Sequence, residues 1–287
     1  MKIGSWISVK TKEKVAFACL FLITLFVLAP VVIVLFIIFK NGMAAINWNF
    51  LTAMPSEGMR SGGIFPAILG TLYLVIGATL CSLPLGILAA IYLSEYAKEN
   101  ALTRTINLAI INLSGVPSVV YGLFGFSLFV MFLKFGASIV AGALTLAIMN
   151  LPVIITSTRE SLKAVPDYFR EVSLSLGASR WQTVRHAVLP FALPGILTGT
   201  ILSIARAAGE TAPILFTVAA FYIPHLPDSV FDQVMALPYH LYIIATQIPN
   251  IPTSYRYGTA LVLIVMVLLM NLVATVIRSS FRRRYKW

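Results

Sequence analysis

No charged side chain occurs in the stretch Ile64-Phe-Pro-Ala-Ile-Leu-Gly-Thr-Leu-Tyr-Leu-Val-Ile-Gly-Ala-Thr-Leu-Cys-Ser-Leu-Pro-Leu-Gly-Ile-Leu-Ala-Ala-Ile-Tyr-Leu93. A helix needs about 20 predominantly apolar residues to cross the hydrocarbon core of a bilayer, and this stretch exceeds that length. A helix on the surface of a soluble protein would instead show a polar face at helical spacing. The stretch therefore predicts a transmembrane helix, which decides the class of fold.

Five more apolar segments meet the same length criterion, and together with Ile64–Leu93 they predict an all-α, polytopic membrane helix bundle with six transmembrane helices. They are Val15–Phe39, Pro117–Leu133, Gly136–Thr156, Leu193–Phe221 and Gly258–Ile277. The first of these is too long for the apolar region of a signal peptide, which reaches about 15 residues, so it is expected to remain as a helix. Only Lys134 and Phe135 separate the third and fourth spans, which predicts a tight helical hairpin.

Composition supports a membrane protein and argues against nucleic-acid binding. The chain is 59% hydrophobic and 11% charged, whereas soluble domains are about 45–50% apolar and about 25% charged. Its net charge of +11 would suit nucleic acid, but the basic residues gather at the ends of the apolar runs. Cys19 and Cys81 lie inside apolar runs and are expected to be small buried hydrophobes, so no disulfide or metal site is predicted from them.

The basic residues also set the orientation. If the N-terminus is cytoplasmic, 16 of the 21 basic residues face the cytoplasm, including Lys98 and Arg104 in the connection between the second and third spans. Four face outward and one, Arg206, remains inside a span. Because cytoplasmic loops carry an excess of Lys and Arg, both termini are predicted to be cytoplasmic.

Two longer segments are then external, Lys40–Gly63 and Tyr222–Tyr257. Within the second, Asp228–His240 is expected to form a short helix lying on the outer surface. His225 and His240 are too isolated in sequence to predict a metal site, and no cofactor is expected.

The cytoplasmic loop Ser157–Leu189 has a pattern that a plain connection would not need. Pro166 and Asp167 suit the first turn of a helix, and Gly177 suits a left-handed helix stop. A second short helix is expected to begin at Ser179 and to end before Pro190. Apolar residues recur on one face of the first helix at Val165, Phe169, Val172 and Leu176. Such helices could rest on the lipid surface or dock a cytoplasmic partner, and the pattern alone leaves both open.

The fifth span contains a charged pair, Arg206 and Glu210. An arginine at the bilayer centre costs about 2.5–3.5 kcal/mol on insertion scales, so it must face protein or water. A polar stripe is predicted along one side of this helix, formed by Ser203, Arg206, Glu210, Pro213 and Thr217. A guanidinium offers a planar fork of N–H donors that suits an oxyanion. The alternative is an internal salt bridge that locks helices together without touching a substrate.

The cytoplasmic loop resembles a known motif. Glu171-Val-Ser-Leu-Ser-Leu-Gly177 and, after nine residues, Ala187-Val-Leu-Pro190 are similar to the EAA loop of ABC importer permeases. Val172, Ser173 and Ala187 depart from its usual residues. The resemblance implies that the loop fits a groove of a nucleotide-binding subunit, with ATPase coupling through Arg170, Glu171, Gly177, Leu189 and Pro190.

Most of the chain after Met59 resembles the PstA-type permeases of phosphate-specific ABC importers, in the MetI-like superfamily. The stretches that carry the resemblance are Gly62–Thr71, Pro84–Tyr96, Pro117–Gly122 and Ala205–Pro213. The resemblance implies a multi-pass protein of the inner (plasma) membrane, a permease subunit of an ATP-driven importer of inorganic phosphate. It implies a phosphate pathway that includes Arg206, Glu210, Ser203, Thr211 and Thr217.

The same resemblance implies three partners: a dimer of ABC ATPase subunits, a second homologous permease forming a heterodimer, and an external phosphate-binding protein. It divides the chain into residues 1–58, which hold the N-terminal tail, first span and external loop, and residues 59–287. The latter form the permease domain, with its coupling loop at about 157–190.

The sequence contains no Gly-x-x-x-x-Gly-Lys-Ser/Thr motif, so ATP hydrolysis is expected on a separate subunit and the chain is not expected to be an enzyme. A permease for another oxyanion, such as sulfate or molybdate, remains an alternative. A stand-alone proton-coupled carrier that uses Glu210 is another, although such carriers often show internal repeats and none is evident here. A membrane scaffold without transport would leave Arg206 unexplained.

Overall fold

The computed structural model describes residues 9–223 and 225–284, most of which are helical. The helices are α1 (Val9–Gly42), α2 (Trp48–Thr52), α3 (Phe65–Ile91), α4 (Ala101–Ser114), α5 (Ser118–Gly125), α6 (Ile139–Lys163), α7 (Asp167–Ser175), α8 (Arg180–Thr183), α9 (Leu189–Gly209), α10 (Ala212–Thr217), α11 (Leu237–Thr246) and α12 (Thr253–Arg284). Three π-type segments continue α3, α5 and α8, over Tyr92–Tyr96, Phe126–Phe132 and Val184–Val188. Lys2 and Lys286, two of the basic residues used for the orientation, lie outside the described residues.

The membrane spans agree with the all-α bundle predicted from the sequence. Among the described residues, five helices are long and apolar enough to cross a membrane. A sixth span is formed if α4 and the helix Ser118–Phe132 are taken together, although the two are bent by 106°. All six predicted spans are therefore helical for most of their length. The tight connection between the third and fourth spans is slightly longer than predicted, since Ser138 caps α6.

Helix α4 lies in a region that the sequence predicts only as a cytoplasmic connection between the second and third spans. Asn100 begins the helix by accepting a hydrogen bond from the backbone N–H of Thr103 at 2.8 Å, which satisfies one of the free donors of the first turn. Pro117 follows the helix, and its fixed φ and missing N–H separate α4 from α5. The Arg159 guanidinium in α6 donates to the Asn107 side chain at 2.7 Å and attaches α4 to the bundle.

The core of the bundle is built from α3, α6 and α9, with α6 the most buried of the spans. Small residues allow the backbones to approach closely, as is common where membrane helices pack. A Cβ atom added at Gly199 of α9 would lie 1.8 Å from the Ser157 hydroxyl of α6, and one added at Gly195 would lie 2.3 Å from that of Ser161. Helix α1 lies on the outside against α12, and most of its side chains, including Cys19, are exposed. The prediction that Cys19 is buried is therefore wrong, because α1 packs mainly against α12 and leaves this side chain exposed.

The second external segment folds inward. The short helix predicted at Asp228–His240 is wrong in its place, since the helix is α11 and begins at Leu237, where Pro238 suits the first turn. Helix α11 does not lie on the outer surface, because Leu237, His240 and Ile244 are fully buried. The backbone N–H of Leu237 donates to the Thr71 hydroxyl of α3 at 2.8 Å, which ties the segment to the bundle.

Candidate functional site

The fifth span is broken at the charged pair. Helix α9 ends at Gly209, Glu210 is extended with φ −74° and ψ 134°, and α10 begins at Ala212. Pro213 explains the break, because its ring clashes with the carbonyl group four residues earlier, that of Gly209, and its nitrogen has no hydrogen to donate. The predicted stripe on one continuous helix is therefore wrong, although its two charged residues meet at the break.

Arg206 and Glu210 form the predicted ion pair. The Arg206 Nε donates to Glu210 Oε1 at 3.3 Å, and the two side chains are 34% and 18% exposed. Arg206 lies in the last turn of α9, where the helix dipole favours a cation. Among the described residues this is the one hydrogen bond that Arg206 makes, so both of its Nη groups are available to a ligand.

A second contact helps to place Arg206 along the fifth span. Arg278, which follows the apolar run Gly258–Ile277 in α12, donates to the Thr198 hydroxyl of α9 at 3.1 Å. Thr198 thus lies level with the end of that apolar run. Arg206 is eight residues further along the helix, which corresponds to about 12 Å at a rise of about 1.5 Å per residue. Arg206 therefore lies well inside the apolar length of the bundle.

Two polar residues near this pair were not identified from the sequence. Asn150 of α6 is buried, its Nδ2 donates to the Ser203 carbonyl at 3.3 Å, and its Oδ1 has no hydrogen-bond partner. Tyr121 of α5 lies within electrostatic range of Arg206, and its hydroxyl donates to the Leu113 carbonyl at 2.8 Å. Asn150 could have been identified from the sequence, because it is an amide side chain inside the apolar span Gly136–Thr156. No sequence pattern places Tyr121 beside Arg206.

The other predicted pathway residues differ in exposure. Ser203 and Thr217 are buried, and their hydroxyls donate to the carbonyls of Gly199 and Pro213 within their own helices, at 3.0 and 2.8 Å. Thr211 is half-buried at the break. The charged pair and Thr211 are thus the accessible part of the predicted set.

The cytoplasmic loop lies at the other end of the bundle, far along α9 from Arg206. It begins later than predicted, since α6 continues past Thr156 to Lys163. Gly177 ends the first helix with φ +84°, as predicted, and Ser179 begins the second with reciprocal hydrogen bonds to Gln182. Glu171 is exposed on α7.

The second helix of the loop does not end before Pro190 as predicted. Helix α8 passes through the π-type segment Val184–Val188 directly into α9, so the loop is continuous with the fifth span. Pro190 lies in the first turn of α9, and the wider π turn before it accommodates a residue without an N–H. Leu189 packs on a small apolar cluster at the cytoplasmic end of α3, α6 and α9.

The predicted apolar face of α7 is split between core and solvent. Val165 is buried and Phe169 packs on the same cluster, but Val172 and Leu176 are exposed. Tyr168, Leu174 and Trp181 are also exposed nearby. An exposed apolar patch of this kind marks an interaction surface.

Arg170 points inward, toward the end of α3. Its guanidinium pairs with Glu95 at 2.7 Å, and the two side chains are 19% and 10% exposed. The hydrogen bonds to the Glu95 carboxylate raise the pKa of Arg170. The neighbouring residues Arg170 and Glu171 therefore differ in their surroundings, since Arg170 faces the bundle and Glu171 is exposed.

The described residues contain no group of His, Cys, Asp and Glu side chains that could hold a metal ion. His240 is buried, and neither of its ring nitrogens has a hydrogen-bond partner. His225 is exposed.

Comparison with known protein families gives a match over most of the chain. A family model described as "Binding-protein-dependent transport system inner membrane component" matches residues 82–287. The chain belongs to this family. It is thus an inner membrane protein, and its relatives are transport subunits and not enzymes.

Relatives of this inner membrane component are similar over most of their length. A "Phosphate transport system permease protein PstA 1" of Mycobacterium tuberculosis is 35% identical over 97% of this chain and 93% of its own. A "Probable ABC transporter permease protein YqgI" of Bacillus subtilis is 35% identical over 86% of this chain and 89% of its own. The crystal structure of a bacterial ABC transporter involved in alginate import contains a chain with the same fold, at a TM-score of 0.64 and 15% identity, covering 92% of this chain and 96% of that one.

Proposed function

We propose that this chain is the permease subunit of an ATP-driven importer of inorganic phosphate and that Arg206 contacts the phosphate during its passage. The observation that carries the proposal is a guanidinium inside an apolar span, at a helix break, with both Nη groups unengaged among the described residues. The relative from Mycobacterium tuberculosis, whose name specifies phosphate transport, supports phosphate as the cargo.

The chemistry of the pair suits a phosphate ion. Two Nη groups of Arg206 can donate to two phosphate oxygens, and such charge-assisted bonds are about twice as strong as neutral ones. Glu210 holds the Nε edge and fixes the direction of the fork. Its carboxylate can also accept a hydrogen bond from the O–H of a protonated phosphate. Sulfate has no such hydrogen at neutral pH, so Glu210 would repel it and thereby contribute to selectivity.

The remaining pathway residues take different roles in this proposal. Thr211 stands beside the pair and can offer its hydroxyl to a passing anion. Ser203 and Thr217 are buried and bonded within their helices, so they shape the wall on either side of the break.

The exposure of Arg206 supports a second permease subunit. A charged group open to lipid near the bilayer centre is costly, and Arg206 is 34% exposed in this chain. A second, homologous permease placed against this face would close a water-filled pathway around the guanidinium. The two subunits would form a heterodimer.

The cytoplasmic loop is the proposed docking site for the ATPase dimer. Glu171 and the apolar side chains around it are exposed on α7, and Gly177 gives the sharp turn that presents them. Arg170, Leu189 and Pro190 attach the loop to the spans. Because α8 runs into α9 without interruption, movement of the loop would tilt the span that carries Arg206.

Transport would then proceed by alternating access. An external phosphate-binding protein delivers its ligand to the external segments, and closure of the ATPase dimer on ATP opens the pathway outward. Phosphate moves to Arg206, and after hydrolysis the pathway opens inward and releases it. In this scheme residues 59–287 form the permease domain, with a coupling loop at about 157–190, and residues 1–58 add the first span and its loop.

The test is co-purification followed by uptake. Membranes that express the tagged chain together with its neighbouring subunits are solubilised, and the attached proteins are identified. The purified complex is then placed in liposomes with internal ATP and external binding protein, and labelled phosphate is measured. We expect ATP-dependent uptake that excess unlabelled phosphate abolishes and excess sulfate or molybdate leaves unchanged. Competition by sulfate would refute the cargo, and uptake driven by a proton gradient without ATP would refute the mechanism.

A further inference from the structure

One charged contact joins the cytoplasmic loop to the second span. Glu95 lies in the π-type segment Tyr92–Tyr96 that continues α3, and Arg170 lies in the middle of α7. The Arg170 Nε donates to Glu95 Oε2 at 3.0 Å and its Nη2 donates to Oε1 at 2.7 Å. This is a two-point, fork-to-carboxylate contact, which fixes the relative angle of the groups as well as their distance.

The same guanidinium also holds the end of α6. Its Nη2 donates to the Leu162 carbonyl at 2.9 Å, and its Nη1 donates to the Val165 carbonyl at 2.8 Å. Leu162 lies in the last turn of α6 and Val165 just beyond it, so Arg170 is bonded to the end of that helix in addition to the local backbone hydrogen bonds. One side chain therefore connects α3, α6 and α7.

Apolar packing surrounds this contact. Ile91, Leu162, Val165 and Val184 are buried in one cluster at the cytoplasmic end of the bundle. Phe169 reaches into the same cluster, and its ring centroid lies 4.7 Å from that of Phe191. The packing would hold α7 near the bundle without the ion pair, but apolar contacts are non-directional and do not fix its angle.

We propose that Glu95 and Arg170 are positioning residues that transmit the movement of α7 to α3 and α6, in addition to the continuous connection of α8 with α9. This inference rests on the proposed function, because it requires an ATPase that moves α7. Glu171 faces outward, where a partner binds, and its neighbour Arg170 faces inward to Glu95. Because Arg170 and Glu171 are consecutive residues of α7, a partner that displaces Glu171 would also displace Arg170 and its contact with Glu95.

Two nearby ion pairs provide matched controls. Asp167 also contacts Arg170, at 3.2 Å, but its side chain is 87% exposed and it lies in α7 itself. Glu160 and Lys163 are 3.8 Å apart, exposed, and both in α6. Neither pair connects two elements, so removal of either carboxylate should leave transmission unchanged.

The experiment uses the complete transporter in liposomes with the Glu95→Gln, Arg170→Lys, Asp167→Asn and Glu160→Gln variants. Three quantities are measured: ATPase subunits per permease, ATP hydrolysed and labelled phosphate imported. We expect Glu95→Gln to keep its ATPase subunits and hydrolysis, while phosphate imported per ATP falls at least about tenfold. Arg170→Lys keeps the charge and loses the fork, so it should fall by less. The Asp167 and Glu160 variants should stay within about twofold of the wild type.

A readout that does not depend on the cargo separates this inference from the proposed function. Spin labels are attached at Leu85 on α3 and at Phe132, both exposed in this chain, in a background without Cys19 and Cys81. Trapping the ATPase with vanadate should change their distance in the wild type and in Asp167→Asn, and should fail to do so in Glu95→Gln. If the label distance changes in the wild type but the transporter imports no phosphate, the cargo is wrong and the transmission role stands. If the label distance in Glu95→Gln changes as in the wild type, the transmission role is overturned. It is also overturned if Glu95→Gln and Arg170→Lys both fail to assemble with the ATPase subunits.

Discussion

The close approach of α6 and α9 at Gly199 predicts that an added methyl group there lowers the stability of the bundle. A Cβ atom at Gly199 would lie 1.8 Å from Ser157 Oγ and 2.4 Å from Ser157 Cβ, whereas carbon atoms prefer about 3.5–4.0 Å. The helices must therefore separate by roughly 1 Å in Gly199→Ala. Overpacking of this kind costs about 1–3 kcal/mol, and the better helix propensity of alanine returns about 1 kcal/mol.

The expected net loss in Gly199→Ala is up to about 2 kcal/mol, which for a chain of this size lowers the unfolding temperature by up to roughly 8 °C. The assay is thermal unfolding of the purified complex in detergent, followed by intrinsic fluorescence. The double variant Ser157→Gly, Gly199→Ala should restore the unfolding temperature, because the nearest remaining atom is the Cα of residue 157 at 3.8 Å. In the double variant the loss of helix propensity at residue 157 offsets part of the gain at residue 199. Gly115→Ala, whose nearest atom would be 3.5 Å away, is the control. A double variant no more stable than Gly199→Ala would refute this account of the helix contact.

Two further predictions concern the loop and the external segment. Glu171→Lys should remove the ATPase subunits from the purified complex, since Glu171 is exposed on α7, the helix proposed to dock them. Glu160→Lys, on the exposed surface of α6, should retain them. Equal subunit ratios in the two variants would contradict the docking proposal. Burial lowers the pKa of His240 to about 4, from 6.5, so the fold holds the neutral form and loses stability as the pH falls from about 6.5 toward 4, by at most about 3 kcal/mol. His240→Gln should flatten the fall in unfolding temperature between pH 7 and pH 5, and an unchanged fall would assign it to other groups.

The spans were predictable because the signal in each is local. Every run of about 20 apolar residues is helical for most of its length, since a chain in lipid must satisfy its backbone hydrogen bonds within the segment. The prediction of Gly177 as a helix stop and Ser179 as a helix start is also confirmed. Both signals are local, since Gly177 lacks a Cβ atom and Ser179 caps the next helix with its own hydroxyl. The Arg206–Glu210 pair followed from helical spacing alone.

The errors arose where one local signal outweighed another or where contacts are distant in sequence. The apolar run Leu193–Phe221 predicts one continuous helix, and this prediction missed the break. Pro213 indicates the break, because its ring would clash in a helix with the carbonyl group of Gly209, four residues earlier. Pro190 does not end the helix as predicted, because the π-type turn before it accommodates a residue without a backbone N–H. Helix α4 is too short to be found as a span.

Distant contacts had no signal at all. Tyr121 comes within electrostatic range of Arg206 because α5 packs along α10, the helix that follows the break after Arg206. Glu95 and Arg170 are 75 residues apart in the chain. Neither pairing follows from spacing, and both required the packed bundle.

The central claim is that the Arg206 guanidinium contacts phosphate, and labelled-phosphate uptake by Arg206→Gln tests it most directly. Arg278→Gln is the control, since Arg278 also contacts α9 but lies about 12 Å nearer the cytoplasm. Hydrogen bonds to charged groups contribute about 1.5–3 kcal/mol each, so loss of the two bonds of the fork should reduce uptake by at least about 100-fold, with ATPase subunits still attached. Arg278→Gln should remain within about twofold of the wild type. Uptake by Arg206→Gln at the wild-type rate would contradict the account.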